Sequence, residues 1–554
     1  MSRIWPRILP AGEAAFTVEF GDRLDESLNR QVHALDAALS GSPIQGLGET
    51  VPTYRSLLVM YDPLVSDETS VRAALNLALA GLEAGALPEG RLVEIPVHYG
   101  GESGPDLEDV AAHCGLTPSE VVRLHTEPTY RVAMLGFAPG YAYLFGLPPR
   151  LATPRLATPR LRVEPGSVGI AGAQTGLYAI ATPGGWRIVG RTPMPLFDPN
   201  RDEPFALWAG DRVRFVAMDA TTDRLLPGIS DRLPTAVRDR PSAASGLPSA
   251  AASLVVIEGG FLTTVQDAGR FGWARFGVPP SGPMDPFALR AANTLVGNLP
   301  HAAGLEITLV GPALRATHEC LIAVCGAEFD LWVGDLPVPA WHAVYVRAGQ
   351  EVRFGQRRSG ARAYLAVSGG IALPSFLGSR ATYLPGNFGG LEGRALQAGD
   401  QLPLGPMGND LATRAGKAWP RSSRPAYSPR PTLRVVPGPQ GDYFTPEGLA
   451  AFESEYEVTP ASDRMGYRLS GPRVAHRDAV EIVSDGVVTG SVQVPGDGQP
   501  IVMMADHQTT GGYPKIATVI RADLPLLAQC LPGDRVRFRP VSIAEAQAAL
   551  LASS

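Results

Sequence analysis

Lysine is almost missing from this chain: only Lys417 and Lys515 stand among 48 Lys+Arg residues, so arginine is the default cation. That makes Lys515, in a glycine-rich polar stretch, the sharpest single residue, because a compact ammonium acts as a point charge or loses its proton when buried. Cysteine is scarce as well. Four in 554 residues exclude a disulfide scaffold. Cys320 and Cys325, an odd offset apart in CLIAVC, fall on opposite faces of a strand and cannot chelate one metal together, so buried free thiols are expected. No apolar run reaches bilayer length: the most helix-like, 71–87, carries Arg72 and Glu83. The opening MSRIWPRILPAGEAAF lacks an apolar signal core, and a soluble cytoplasmic protein is expected. Basic charge is not in excess. A net charge of −6 and a pI near 5.9, with no zinc-finger spacing, argue against a nucleic-acid partner. Neither lysine completes a P-loop, since Gly416-Lys417 precedes Ala418 and Lys515 follows Pro514. Nucleophile-elbow and H-E-x-x-H motifs are also missing, and the nine histidines are scattered, so no metal site is expected.

What the chain does have is turns. Its 62 glycines and 52 prolines favour short strands over helical bundles, and its length calls for three or four cores. The expected fold is β-rich α+β. Residues 1–90 read as a small α/β domain, with strands at 15–20 and 56–63 around a helix at 25–39 and a second helix from Ser66. Residues 91–227 read as a β domain broken by a helix at 117–125, where Thr117 caps and Pro118 opens the first turn. A flexible linker at 228–253 looks like a fusion joint between two polypeptides. Two further domains, each expected to close as a barrel, 254–405 and 432–554, flank a stiffer linker at 406–431.

An internal repeat supports this division. The string G-x-x-V-R-F occurs at 210–215, 349–354 and 533–538, with a weaker copy, GDQLPL, at 399–404. A glycine turn followed by alternating Val, Arg and Phe describes a strand with one buried face. Gly166-Ser167-Val168 and Gly490-Ser491-Val492 precede the first and third copies at nearly equal intervals. Between them lie Gly184-Gly185-Trp186-Arg187-Ile188 and Gly511-Gly512-Tyr513-Pro514-Lys515-Ile516. Two barrels of one plan follow, with Arg187 and Lys515 in related positions.

Chemistry is expected in 484–523. Lys515, Asp506 and His507 are the catalytic candidates, supplying charge and proton transfer. Gln493, Gln508, Thr509, Gly511, Gly512 and Tyr513 supply hydrogen bonds and close backbone approach. Lys515→Ala is expected to remove activity and leave folding intact. In the turn GFAPGY, Phe137, Gly140 and Tyr141 offer either an aromatic platform for a flat ligand or a packed barrel corner. Arg160, Arg187 and Arg191 suit a carboxylate or phosphate, or stand solvated on the surface; Gln174 and Thr175 join the binding candidates. Gln266, Asp267 and Arg270 cluster after the joint, Asp285 reads as a helix cap, and Asp463 with Arg464 is either a structural ion pair or an anion clamp.

Five stretches carry a family resemblance: the opening segment, GFAPGYAYL, the long motif at 165–199, VQDAGRFGWARFGVPPSGPMD and SDRMGYRL. Together they resemble the paired carboxyltransferase-type subdomains of urea carboxylase, the allophanate hydrolase subunit 1 and 2 family that includes the B and C subunits of bacterial 5-oxoprolinase. The chain looks like a fusion, 1–227 as the B part and 254–554 as the C part. The resemblance implies several cyclophilin-like β-barrels beside the small N-terminal domain. It implies opening of the 5-oxoproline lactam to glutamate, with ATP and Mg required and a separate A-type subunit as partner; self-association is left open. It implies two alternatives: a biotin-dependent carboxyltransferase acting on urea-like amides, and a regulator of the type formed by a histidine-kinase inhibitor and its antagonist.

Overall fold

The computed structural model describes residues 4–41, 44–82, 90–218, 252–408, 410–477 and 480–553. The expected joint at 228–253 lies outside them except for its last two residues. Residues 7–61 form a four-stranded antiparallel sheet in the order Arg7–Pro10, Ala15–Glu19, Ser56–Tyr61, Leu47–Pro52. Helices Glu26–Gly41 and Glu68–Ala80 cover one face, because Val32, Leu35, Val71 and Leu75 repeat at helical spacing and meet Phe16, Val18, Leu57 and Val59 from alternate strand positions. The opposite face, Val51 and Leu58, is covered by Ala274 from the second half of the chain.

Two seven-stranded barrels follow the same plan. Round the first, the strands run Gln174–Leu177, Ala142–Phe145, Tyr130–Leu135, Arg212–Ala217, Leu92–Tyr99, Arg187–Arg191, Ser167–Ala171. Round the second they run Ile501–Met503, Gly466–Ser470, Glu455–Val458, Arg535–Pro540, Thr432–Pro437, Lys515–Val519, Ser491–Gln493. Position for position the rings agree. Each contains one parallel pair, made by the V-R-F strand and the strand that opens the barrel. Arg187 and Lys515 accordingly begin equivalent strands. The repeat glycines have a conformational cause: Gly210, Gly349, Gly399 and Gly533 sit at φ of 90°, 84°, 92° and 92°, and a Cβ at any of them would meet no atom within 4 Å. The turn into the strand needs a left-handed residue there, and open space shows that crowding is not the reason.

Between the barrels, the 254–405 segment expected as a barrel forms instead an open nine-stranded sheet, so the second repeat copy belongs to a long strand, Glu351–Val367, outside any closed ring. Cys320 and Cys325 start its neighbour, Cys320–Val333, and enter separate apolar clusters on opposite faces. All four cysteines are free thiols. Helix Pro286–Val296 covers one face, capped by Asp285, whose side chain accepts from the Ala288 amide at 3.0 Å. The 406–431 segment, read from the sequence as a linker, lays Leu411, Trp419 and Tyr427 against the cluster formed by that helix. Among the described residues no helix is long and apolar enough to cross a membrane.

Candidate functional site

The two halves meet along a continuous seam, and the motifs singled out by sequence build much of it. Phe137 donates its amide to the Thr510 hydroxyl at 2.9 Å, and the Gly140 amide donates to the Phe276 carbonyl at 2.8 Å. A Cβ on Gly136 would lie 2.3 Å from Thr510 Oγ1, and one on Gly277 2.1 Å from the Ala138 carbonyl oxygen. The turn is therefore a docking surface between halves. Phe205 stacks on Phe276 at 4.6 Å, and Phe197 lies 5.5 Å from Phe388, so the first barrel's aromatic core runs on into the second half. Tyr141 is buried among Tyr178, Tyr143 and Trp186, as a packed corner requires.

Lys515 lies in a closed polar network across this seam. Its Nζ donates to Asp485 Oδ2 at 2.8 Å, and their side chains are 1% and 0% exposed. Asp485 also accepts from Gln440 Nε2 at 3.0 Å and from the Ser56 hydroxyl. Gln440 reaches Glu19, which accepts from Arg55 Nη1 at 2.9 Å. Burial works against the Asp485 anion, but Lys515 and Arg55 outweigh it and hold the carboxyl well below its usual range. Sequence reasoning missed Asp485, Ser56, Gln440, Glu19 and Arg55; the Ser-Asp-Gly at 484–486 was the available signal.

Asp506 and His507 belong to other surroundings. Both oxygens of Asp506 accept from Arg464, at 2.8 and 3.0 Å. Arg464 also donates to Glu306 at 2.5 Å, so this expected clamp is filled by protein carboxylates. Burial pushes the His507 imidazole down to about 4, leaving it neutral at physiological pH. Its Nδ1 faces the Gln508 carbonyl at 2.7 Å and its Nε2 the Thr489 hydroxyl at 3.1 Å.

His507 and Thr509 line a cavity of about 350 Å³ in the seam. The N-terminal half contributes Glu13, Glu49 and the Ala11–Ala15 segment, and the second half contributes Ser281, Met284, Thr518 and Arg521. This is the size and shape class of small-molecule sites. Burial raises the Glu49 carboxyl above its ordinary value, the Ala274 amide partly offsetting it. Apart from His507 and Thr509, the cavity's lining was not picked out by sequence reasoning, because most of it is small and apolar.

The remaining candidates do not converge there. Gln508 donates to Gln493 at 3.2 Å, and a Cβ on Gly511 would meet Gln493 Nε2 at 2.4 Å, so those three pack together. The Gly512 carbonyl accepts from Ile482, and Tyr513 is exposed. Arg160 and Arg187 bind Asp106 and Asp109 at 2.7 and 2.9 Å, and Arg191 reaches the Glu102 carbonyl at 3.4 Å. Thr175 is buried against His125, while Gln174 lines a separate cleft of about 490 Å³ with Arg155 and Glu481. Arg270 is buried over Phe388 and donates to the Phe376 and Ala381 carbonyls; desolvation lowers it to about 10. Gln266 donates to the Thr382 carbonyl and Asp267 accepts from Ser379 and Arg380, so these hold the loop. Asp463 bonds the amides of Met465 and Gly466, a turn role.

Residues 6–207 match the model of the carboxyltransferase domain, subdomain C and D, and residues 276–540 that of subdomain A and B. The chain is 41% identical to the 5-oxoprolinase C subunit of Haemophilus influenzae over 287 residues, which is 51% of this chain and 89% of the relative. It is 44% identical to the 5-oxoprolinase B subunit of Bacillus subtilis over 215 residues, 37% of this chain and 90% of the relative. The chain belongs to the carboxyltransferase-domain family. The crystal structure of TTHA0988 superposes with a TM-score of 0.81 at 37% identity, covering 95% of this chain and 99% of that one. The seam cavity is thus walled by both carboxyltransferase-domain segments: Glu13 and Glu49 come from the C and D match, and Ser281, His507 and Arg521 from the A and B match.

Proposed function

We propose that this chain is the joined B and C component of a 5-oxoprolinase, which opens 5-oxo-L-proline to L-glutamate with ATP hydrolysis and acts with a separate A-type subunit in the cytoplasm. The observation that carries the reading is that relatives named as B and C subunits match successive segments of one chain whose halves interlock around a shared cavity. A lactam is a stable amide, so coupling its opening to ATP is chemically reasonable, and a site must hold the ring where one attacking water reaches its carbonyl carbon. The arginines expected from the sequence to hold phosphate oxygens are already paired within the chain. Among the described residues no group of three or more His, Cys, Asp and Glu side chains is placed to hold a metal ion, and Arg160, Arg187 and Arg464 are engaged by protein carboxylates. No step through ATP is therefore derived for this chain. A carboxyltransferase acting on a urea-like amide is the second reading, favoured by the family's subdomain match. The deciding assay is ATP-dependent glutamate release from 5-oxoproline by this chain, alone and with a candidate A-type partner. Release only in the mixture supports the first reading. No release with the partner demonstrably bound sinks it and favours the second.

A further inference from the structure

A second groove, of about 790 Å³, lies wholly within the second half of the chain. Helix Pro286–Val296, the 406–431 segment, the second barrel and helix Ile543–Ser553 all contribute to it. Its apolar lining includes Phe287, Leu289, Pro425, Pro525 and Leu526. Its charged lining is one-sided. Arg290, Arg424, Arg434 and Arg521 stand against a single carboxylate, Asp523, in a chain whose net charge is −6. Asp523 is itself taken, since its two oxygens accept from Arg434 Nε and Nη2 at 3.0 and 2.6 Å, leaving Arg434 Nη1 for another acceptor. Arg424 is half-buried 5.3 Å from the Trp341 ring, and two of its nitrogens share one neutral acceptor, the Trp419 carbonyl, at 3.3 and 2.9 Å. Burial and the like charge of Arg421 both press against the Arg424 cation. Arg521 donates its backbone amide to Glu13, and among the described residues its guanidinium forms no ion pair.

Cations gathered without enough counter-ions in a partly apolar groove make a receptor for an anion, and the planar fork of a guanidinium suits phosphate oxygens. The apolar remainder calls for more than a bare anion. A ligand with a flat apolar body and a polyphosphate tail matches both parts, and the groove is of the size that takes such molecules. We propose that this groove binds a nucleoside triphosphate, with its phosphates at Arg424, Arg434 and Arg521 and its base against Phe287 and the prolines. The naming of ATP as that nucleotide rests on the function proposed above. Ala268, Pro283, Pro286 and Arg521 line both this groove and the seam cavity, so the nucleotide lies alongside that cavity and not in it. None of the three arginines stands in a phosphate-binding motif, because they come from separate segments and meet only in the fold.

The test is calorimetric titration of the full chain, without partner, using ATP, AMP and inorganic tripolyphosphate. ATP is expected to bind about tenfold or more tightly than either, since AMP lacks the outer phosphates and tripolyphosphate lacks the base. Arg424→Gln and Arg521→Gln, the second at an exposed position that leaves the fold alone, each weaken ATP about tenfold. Arg521→Lys keeps the charge and retains most of the affinity. No ATP binding, or binding that neither Gln substitution alters, overturns the proposal. Tripolyphosphate binding as tightly as ATP overturns it in favour of a bare polyanion site, and AMP binding as tightly overturns it in favour of a nucleoside site. Failure of the groove and failure of the function separate cleanly. Glutamate release with the A-type partner present, at an unchanged KM for ATP in both Gln variants, removes the groove and leaves the oxoprolinase reading. The expected binding pattern without glutamate release in any mixture removes that reading and leaves the groove.

Discussion

Replacing Lys515 by Met keeps most of its apolar bulk and deletes its charge, and the structure says what is left behind. Asp485 is fully buried and loses its 2.8 Å ammonium partner, keeping Gln440 and Ser56 as neutral donors. Breaking a buried pair from one side costs about 3–5 kcal/mol, because the remaining charge has been taken out of water and only Arg55 is left to offset it. For a cooperative unit of roughly 150–250 residues that corresponds to a fall of about 10 °C in melting temperature. Asp485→Asn, which leaves the ammonium stranded, should cost a similar amount. The double variant should recover at least half of the combined loss, since no isolated charge remains. Scanning calorimetry on the four proteins closes the cycle. A shift of less than about 1 °C in Lys515→Met, or a double variant equal to the sum of the singles, would refute the reasoning. The sequence-based expectation that Lys515→Ala spares folding gives way here: the lysine is a buried structural counter-ion. Acid tests the same pair. The Asp485 carboxyl is held below its unfolded value, so its contribution is complete above pH ~4 and is lost as pH falls below that.

Histidine gives a separate acid response. His507 is lowered to about 4 and His125 to about 3, so between pH 6.5 and 4 the unfolded chain takes up protons that the folded chain refuses. Stability should therefore fall across that window, by roughly 3 kcal/mol for His507; His507→Gln should flatten the profile of melting temperature against pH, and an unchanged profile would contradict the assignment. Gly277→Ala should open the seam, since its φ is +80° and the new Cβ would lie 2.1 Å from the Ala138 carbonyl oxygen, a backbone atom that cannot swing aside. Faster hydrogen exchange at the Gly140 amide is the readout, and unaltered protection there would count against it. Gly533→Ala meets no neighbour, so its cost should be conformational alone, about 1–2 kcal/mol, with Gly533→Asn cheaper; a melt showing no loss for Ala would remove the account of the repeat.

The barrel plan was legible in the sequence because it is written locally. A left-handed glycine, alternating burial and equal spacing mark each copy, and the pairing of Arg187 with Lys515 as first residues of equivalent strands follows from them. What a polar side chain faces is not local. Lys515 and Arg464 look alike in sequence as lone cations among turns, yet one meets Asp485 across the seam from Ser56 and the other meets Glu306, 158 residues away. The GFAPGY turn presented aromatics that suit a flat ligand as well as a packed barrel corner, and its docking against Thr510 and Phe276 of the other half was not written in either reading. The open central sheet escaped notice because its V-R-F strand has the same turn and alternation as those of the closed barrels.

A cavity whose walls come from two polypeptides exists only above the dissociation constant of the pair. In this chain the same walls are joined covalently, which sets an effective concentration on the order of millimolar whatever the dilution. Glu49 and Arg521 therefore line one cavity at every expression level, and neither half can be made in excess of the other.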